Sequence, residues 1–450
     1  MNSYVGITQI RLYGSKLITS SQPATTSSPC LLFDSLSGLN SSITTYKMQS
    51  VKILEHNFNV LYNNRNKKGE KKMPDLSKTR EKIDSVDRQI VALFEERMAL
   101  AKEVAEYKIQ TGKPVLDKNR EQQKIQSLKG LVQNEYNVYP VEELFTQIMS
   151  ISRKYQYSLI SPTKEELPYH KLDSLPSKDT STAVYFGEPG SYTQQAMNDY
   201  FGPSVKSFSA STFQSVMEAV HNQKADYGVL PIENSSTGGI DDIYDLLVHY
   251  DNNIIGEHVL KVDHVLAGLP GSSISDLKKV YSHPQGILQC KNFFDSHPEI
   301  KAVPYNSTSA SAKRIAMEHD CSNGAIISPY AAKYYNLSIL QTHLNSEYTN
   351  STRFIVIAKE KIFLTNANKV SICFELPHKS GSLYNILSHF IYNDLNMTKI
   401  ESRPIQGKPW EYRFFVDFEG NLTNPGVKNA IYGIKEEAVS LKILGNFQTI

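Results

Sequence analysis

From residue 76 to residue 110 the chain runs without a glycine or proline, and apolar side chains recur at Ile83, Val86, Ile90, Leu93, Leu100 and Val104. This alternating three-and-four spacing is the seam of a coiled coil and predicts one continuous helix. At ~1.5 Å per residue the helix would be roughly 50 Å long, more than a small domain can bury alone. It calls for partner helices, a second copy of the chain among the candidates. Arg97 stands at a seam position where Ile or Leu is expected, and Lys108 falls on nearly the same stripe. A charge in a seam is costly unless something opposite neutralises it. Taken alone, the helix leaves two readings open. Arg97 snorkels out to a glutamate on a neighbour, or Arg97 and Lys108 line a pocket between helices for a small dianion. Arg80 lies close to a quarter turn off that stripe and points elsewhere.

Residues 111–114, Thr-Gly-Lys-Pro, end this helix. A second helix is expected from the Asp117-Lys-Asn-Arg120-Glu121 segment to about residue 133, then a turn over 134–140. A third spans about 141–157, with Val141, Leu144, Phe145, Ile148 and Ile151 as its buried stripe. Ser152 and Gln156, four apart, share a face beside that stripe.

Residues 158–181 are rich in Ser, Pro, Lys and Glu without periodicity and read as a linker. Beyond them, short apolar strand-like runs alternate with helical ones, which predicts an α/β domain of two lobes with a cleft between them. Its strands are expected at 182–186, 227–231, 259–266, 324–328 and 354–358. Three polar segments sit at strand ends: Gly187 to Thr193, Asn234-Ser-Ser-Thr237-Gly-Gly and Ser282-His283-Pro-Gln. The first, a glycine turn followed by a helix N-terminus, could bind an anion. From residue 370 the order of elements is βαββαβ, a ferredoxin-like α+β sandwich.

Composition narrows the class. With 450 residues, 40% hydrophobic, and a net charge of +2, the chain is a protein of several domains without polyelectrolyte character. Neither a nucleic-acid partner nor a membrane span is indicated. The four cysteines are scattered and point to no disulfide framework or metal site. Residues 1–72 differ from the rest, and 1–50 hold a single acidic residue, Asp34, among many Ser and Thr. They are expected to be disordered, either as a transit-like segment or because translation begins at Met73. For the second reading, Lys68-Gly-Glu-Lys-Lys-Met73 would be encoded by a purine-rich tract resembling a bacterial ribosome-binding site. Cytoplasmic localisation is expected, and a plastid only if the extension is a genuine transit peptide.

The run Thr79-Arg-Glu-Lys-Ile-Asp-Ser-Val-Asp87, with Glu96-Arg97 and Lys108, resembles the all-helical chorismate mutases over all three helices. The resemblance implies interlocked long helices in a homodimer and a site of Arg80 from the other subunit, Arg97, Lys108, Asp117, Arg120, Glu121, Ser152 and Gln156. The rearrangement of chorismate to prephenate needs no nucleophile and no cofactor. The pocket holds a folded conformer and stabilises charge growing on the ether oxygen. Together with Asn350-Ser-Thr352-Arg353-Phe, the strand-end motifs resemble prephenate dehydratase over residues 182–358, departing from it at Glu188 and at Gly286-Ile287. This implies Thr352 as donor to the departing hydroxyl, supported by Asn234, Ser282 and Gln289. Arg353 would be an anchor or a brace and His283 the alternative acid, with Ser191, Tyr192 and Thr237 also at the substrate. Residues 368–447 resemble an ACT regulatory domain. Glu401-Ser402-Arg403-Pro404 matches its second effector motif, and Gly381-Ser382-Leu383-Tyr384 matches the first at Gly381 and Leu383. L-Phenylalanine is the implied effector.

The expected protein is thus a multidomain enzyme. Residues 73–157 form an all-α mutase domain, 158–181 a linker, 182–358 a two-lobed α/β dehydratase domain and 368–447 the α+β regulatory domain. Two alternatives are a dehydratase whose helical domain only dimerises, and a non-catalytic effector-binding protein.

Overall fold

The computed structural model describes residues 75–160, 167–175, 181–346 and 349–449, so the extension 1–72 lies outside the described residues. The chain divides into two compact units, residues 1–88 and 89–450. The described part of the first, 75–88, is the beginning of the long helix, with Asp75 accepting the Ser77 amide at 3.1 Å. Among the described residues no helix is long and apolar enough to cross a membrane.

The long helix α1 spans Leu76–Thr111, as its seam predicts. Helix α2, Lys118–Lys129, is capped by Asp117 and stops at Gly130, short of the expected residue 133. Helix α3, Val138–Ile160, begins three residues earlier than expected, because Pro140 fits its first turn. Its buried face also differs from the expected stripe. Leu144 is exposed, and the buried stripe is Met149, Ser152, Arg153, Gln156, Tyr157 and Ile160. The shift has a physical cause: this face meets α1 through Ser152 and Gln156 and the C-terminal helices through Arg153 and Tyr157. On α1, Ala101 and Ala105 turn inward, while the predicted seam faces solvent, with Leu93 at 64% and Leu100 at 53% exposure.

The stretch read as a linker contains structure. His170–Leu172 pairs in parallel with Ile362–Leu364, and the Tyr169 hydroxyl donates to the Ile443 carbonyl at 3.0 Å. The α/β region holds two sheets. One has five strands in the order Ser338–Gln341, Val265–Gly268, Asn323–Ile327, Lys279–Ser282, Lys301–Pro304. The other contains Asn253–Lys261, Ser351–Ala358, Tyr227–Asn234, Thr182–Phe186 and Lys206–Ala210 side by side. The run expected to be extended over 259–266 is two strands, broken at 262–264, where the chain passes from the second sheet to the first.

The C-terminal region has the predicted βαββαβ order, with antiparallel strands arranged Met397–Pro404, Tyr412–Glu419, Lys369–Glu375, Ser440–Phe447. These four strands continue the second sheet of the α/β region. Gly445 lies beside Ile254 in parallel register, where a Cβ would fall 2.0 Å from the Ile254 carbonyl oxygen, so only glycine fits. The core is shared accordingly: Leu230, Ile254 and Ile355 pack in one cluster with Phe415, Leu444 and Phe447.

Candidate active sites

On the helical region, α1 presents Arg97 and Lys108 to α3. Arg97 donates through Nη1 to the Ser152 hydroxyl, and Lys108 Nζ donates to Gln156 Oε1 at 3.0 Å and to the Val115 carbonyl at 2.6 Å. Burial lowers the pKa of both from their ordinary values, with Glu121 opposing. Ser152 and Gln156 are 4% and 7% exposed, so they are buried partners of the cations rather than boundary residues. Lys108 has a third N–H, and Gln156, its oxygen occupied, keeps its amide N–H2 for another acceptor. Asp117 caps α2 by accepting from the Arg120 amide at 3.0 Å, and the Arg120 side chain is exposed. Arg80 lies on the exposed surface of α1.

Glu121 is held by a residue the sequence did not single out. Arg153 Nη1 donates to both Glu121 carboxylate oxygens, at 2.7 and 2.8 Å, and its Nε donates to Glu437 at 2.9 Å. His389 Nε2 lies 3.5 Å from the same Glu437 oxygen. Burial pushes the Glu437 carboxyl up, but His389 and Arg153 outweigh it and hold the group at about 2. Burial brings Lys154, next to this cluster, down to about 8. The depressed Glu437 pKa contributes stability that is present above its ordinary 4.5 and lost as pH falls through about 2. Acid titration of the folded protein should therefore loosen the contact between α3 and helix Pro425–Glu437 within that window. Fluorescence of a reporter placed at Tyr432 would read the change, and a signal flat down to pH 2 would contradict it.

In the α/β region, strand Ser351–Ala358 lies antiparallel to Tyr227–Asn234 with Thr352 opposite Asn234. Asn234 Nδ2 donates to Thr352 Oγ1 at 3.0 Å and to Asn350 Oδ1 at 2.8 Å. Because the Thr352 oxygen accepts, its own proton is free to be donated. Asn234 Oδ1 in turn accepts the Ser236 amide at 3.0 Å. Thr237, Gln289 and Asn350 line one cavity of about 230 Å³ with Gln285, Asn345 and Ser346. Gln289 is tied from behind to His264, whose Nε2 is 3.0 Å from its Oε1. The other nitrogen of His264 meets the Tyr192 hydroxyl at 3.1 Å. Burial lowers the His264 pKa and raises that of Tyr192.

Other expected site residues have different partners. The Ser282 hydroxyl is fully buried and donates to the Ile326 carbonyl at 2.8 Å, bracing two strands rather than facing the cavity. His283 caps helix Pro284–Gln289, its Nδ1 accepting the Gln285 amide at 3.2 Å. Ser191 caps helix Tyr192–Phe201, and the Gly190 amide donates to Gln194 at 2.7 Å, so the Gly190 and Gln194 amides are bonded within the turn. Arg353 faces three carboxylates, Asp417 at 2.8 Å, Glu257 at 3.4 Å and Glu233 at 3.6 Å, the contacts expected of a brace.

Of the effector motifs, Gly381 has φ +76° and starts helix Ser382–Tyr392, Leu383 packs into the C-terminal core, and Ser402 and Pro404 are exposed. Arg403 pairs with Asp241 and Asp245 of helix Asp241–His249 in the α/β region, and a Cβ on Gly239 would come within 3.6 Å of Glu401. Among the described residues no group of three His, Cys, Asp or Glu could hold a metal ion.

A helical cluster of cations and a strand-end cluster of amides and a hydroxyl, far apart in sequence, define a multidomain enzyme with two separate sites. Residues 79–157 match chorismate mutase type II and residues 183–362 match prephenate dehydratase. A protein of Aquifex aeolicus (strain VF5) described as bifunctional chorismate mutase/prephenate dehydratase is 33% identical over 378 residues, 83% of this chain and 98% of that one. The solved prephenate dehydratase from Arthrobacter aurescens in complex with L-Phe superposes with a TM-score of 0.55 at 28% identity, covering 59% of this chain and 89% of that one. A chain described as GqqA, a novel type of quorum quenching acylase, superposes with a TM-score of 0.56 at 26% identity, covering 60% of this chain and 98% of that one. The chain belongs to the bifunctional chorismate mutase/prephenate dehydratase family.

Proposed function

We propose that the helical pocket rearranges chorismate to prephenate and that the strand-end cluster converts prephenate to phenylpyruvate, under feedback inhibition by L-phenylalanine. The observation that carries this reading is the pairing of Arg97 and Lys108 with neutral polar groups of α3, while the nearby Glu121 is taken up by Arg153, so that a dianion can approach the two cations. Arg97 would bind a carboxylate, and the spare N–H groups of Lys108 and Gln156 would reach the ether oxygen as it gains charge. Asp117, Arg120 and Glu121 complete the site, with Arg80 supplied by a second copy whose α1 covers the exposed seam in a homodimer. In the dehydratase, Thr352 donates to the departing ring hydroxyl while the ring carboxylate leaves as CO2. Asn234 and Gln289 orient the groups around it. Residues 182–358 act as two lobes about this cavity, and 368–447 act as an ACT domain that takes phenylalanine at Gly381–Leu383 and Glu401–Pro404. The protein works in the cytoplasm.

The test supplies the full chain with chorismate and follows prephenate and phenylpyruvate with and without phenylalanine. Both products should appear, and phenylalanine should suppress phenylpyruvate. Prephenate accumulating alone would remove Thr352 from its assigned role. In the same assay Arg97→Met should lower mutase kcat/KM about 100-fold and leave dehydration of added prephenate unchanged. Equal losses in both activities would mean that Arg97 only supports the fold.

A further inference from the structure

We infer that Arg153 and Glu437 are positioning residues for the mutase reaction, through which a side chain of the C-terminal domain sets the place of Glu121. The inference rests on the reading of Glu121 as part of the mutase site. Glu121 is the charge that acts on both Arg97 and Lys108, so it belongs to their pocket electrostatically, whichever substrate atom it meets. Both of its oxygens accept from a single nitrogen of Arg153. A guanidinium is planar and rigid, so fixing its Nε fixes the direction in which Nη1 points. The Nε is fixed by Glu437, 284 residues away in sequence. Arg153 is 6% exposed and cannot exchange these carboxylates for water without leaving the interface.

Glu437 is in turn set by the C-terminal domain. It is the last residue of helix Pro425–Glu437 and lies beside His389 of helix Ser382–Tyr392, which starts directly after Gly381. Tyr157, fully buried one turn beyond Arg153, packs edge-on against Tyr432 with ring centroids 5.7 Å apart, a second contact between α3 and the C-terminal helix. Glu121, Arg153, Glu437 and Ser382 also line one cavity of about 1040 Å³, so the whole relay borders one space. A displacement of either C-terminal helix would therefore be felt at Glu121 as a change of orientation. A pure brace would resist unfolding but would leave mutase kcat alone.

The experiment uses the full chain and three substitutions, Glu121→Gln, Arg153→Lys and Glu437→Gln, with mutase kcat and KM measured separately and dehydratase measured on added prephenate. Glu437→Gln and Arg153→Lys should each lower mutase kcat about tenfold with little change in KM, since misplacement of a site group by a fraction of an ångström costs rate. Both should leave dehydratase kcat/KM at the wild-type value, which also reports that the protein is folded. Glu121→Gln should cost more than either. A large loss in Glu121→Gln beside wild-type mutase kcat in the other two would overturn the inference and spare the site. Wild-type mutase in Glu121→Gln would overturn the site reading, and the inference with it. Should Arg153→Lys misfold, Glu437→Gln alone decides.

Discussion

Replacing Thr352 with alanine is expected to lower the dehydratase rate about 10³-fold while the same protein keeps its mutase rate. The size follows from geometry. The Thr352 oxygen already accepts from Asn234 at 3.0 Å, which narrows the directions in which the hydroxyl proton can point. A threonine hydroxyl is a weak acid in water, and only a fixed, short hydrogen bond makes it an effective donor to a departing hydroxyl. Thr352→Ser keeps the hydroxyl and should retain most of the rate. Asn234→Ala should fall between the two, because it frees the rotor without removing the donor. Steady-state rates on added prephenate would decide. A Thr352→Ala enzyme within a few-fold of wild type would shift the acid role to His283, whose Nε2 is left unengaged when Nδ1 accepts the Gln285 amide.

The second large effect concerns stability. Arg353, next along the strand, lies among Asp417, Glu257 and Glu233, and two lysines complete the cluster, Lys369 on Glu257 at 2.6 Å and Lys399 on Glu233 at 2.7 Å. Three cations therefore balance three carboxylates, and the Glu257 side chain is 1% exposed. Arg353→Met leaves the cluster one positive charge short beside the buried Glu257 and Asp417, and breaking a buried pair in this way costs roughly 3–5 kcal/mol. The midpoint of denaturant unfolding should drop accordingly, and both activities should fall together on warming. Removing a substrate anchor would instead raise the KM for prephenate with the midpoint unchanged.

What could be read from the chain alone follows the range of the interaction. The α1 helix was legible because its period is written within 36 residues, and Arg97 and Lys108 stood out as the wrong chemistry for a seam. Asn234 and Thr352 could be singled out as candidates because their motifs are contiguous, and the strands set them side by side. The burial of α3 was not, since its buried stripe is polar and its partner Glu437 lies at the far end of the chain. Apolar periodicity pointed instead to the neighbouring stripe through Leu144, which stays exposed. Ser282 was assigned to the site by its motif, but the pleat of its strand turns the hydroxyl onto Ile326. His264 was missed for the opposite reason. It occupies the break between two strands, with no motif around it, and matters only because the fold sets it behind Gln289.

The junction at Gly445 also governs how the protein can be cut. The dehydratase match ends at residue 362, which invites excision of that region as an independent enzyme. Strand Asn253–Lys261 has Ser351–Ala358 on one side and Ser440–Phe447 on the other, and the Glu257 amide donates to the Gln448 carbonyl at 3.2 Å. Truncation would leave that strand at the margin of its sheet, with open hydrogen-bonding groups and the apolar faces of Ile254 and Ile355 stripped of Phe415 and Phe447. Such an uncovered edge is a template for pairing with other chains. The shortened enzyme is therefore expected to be lost to aggregation before its chemistry could be assayed, which would make the C-terminal region a condition of the catalytic domain's solubility.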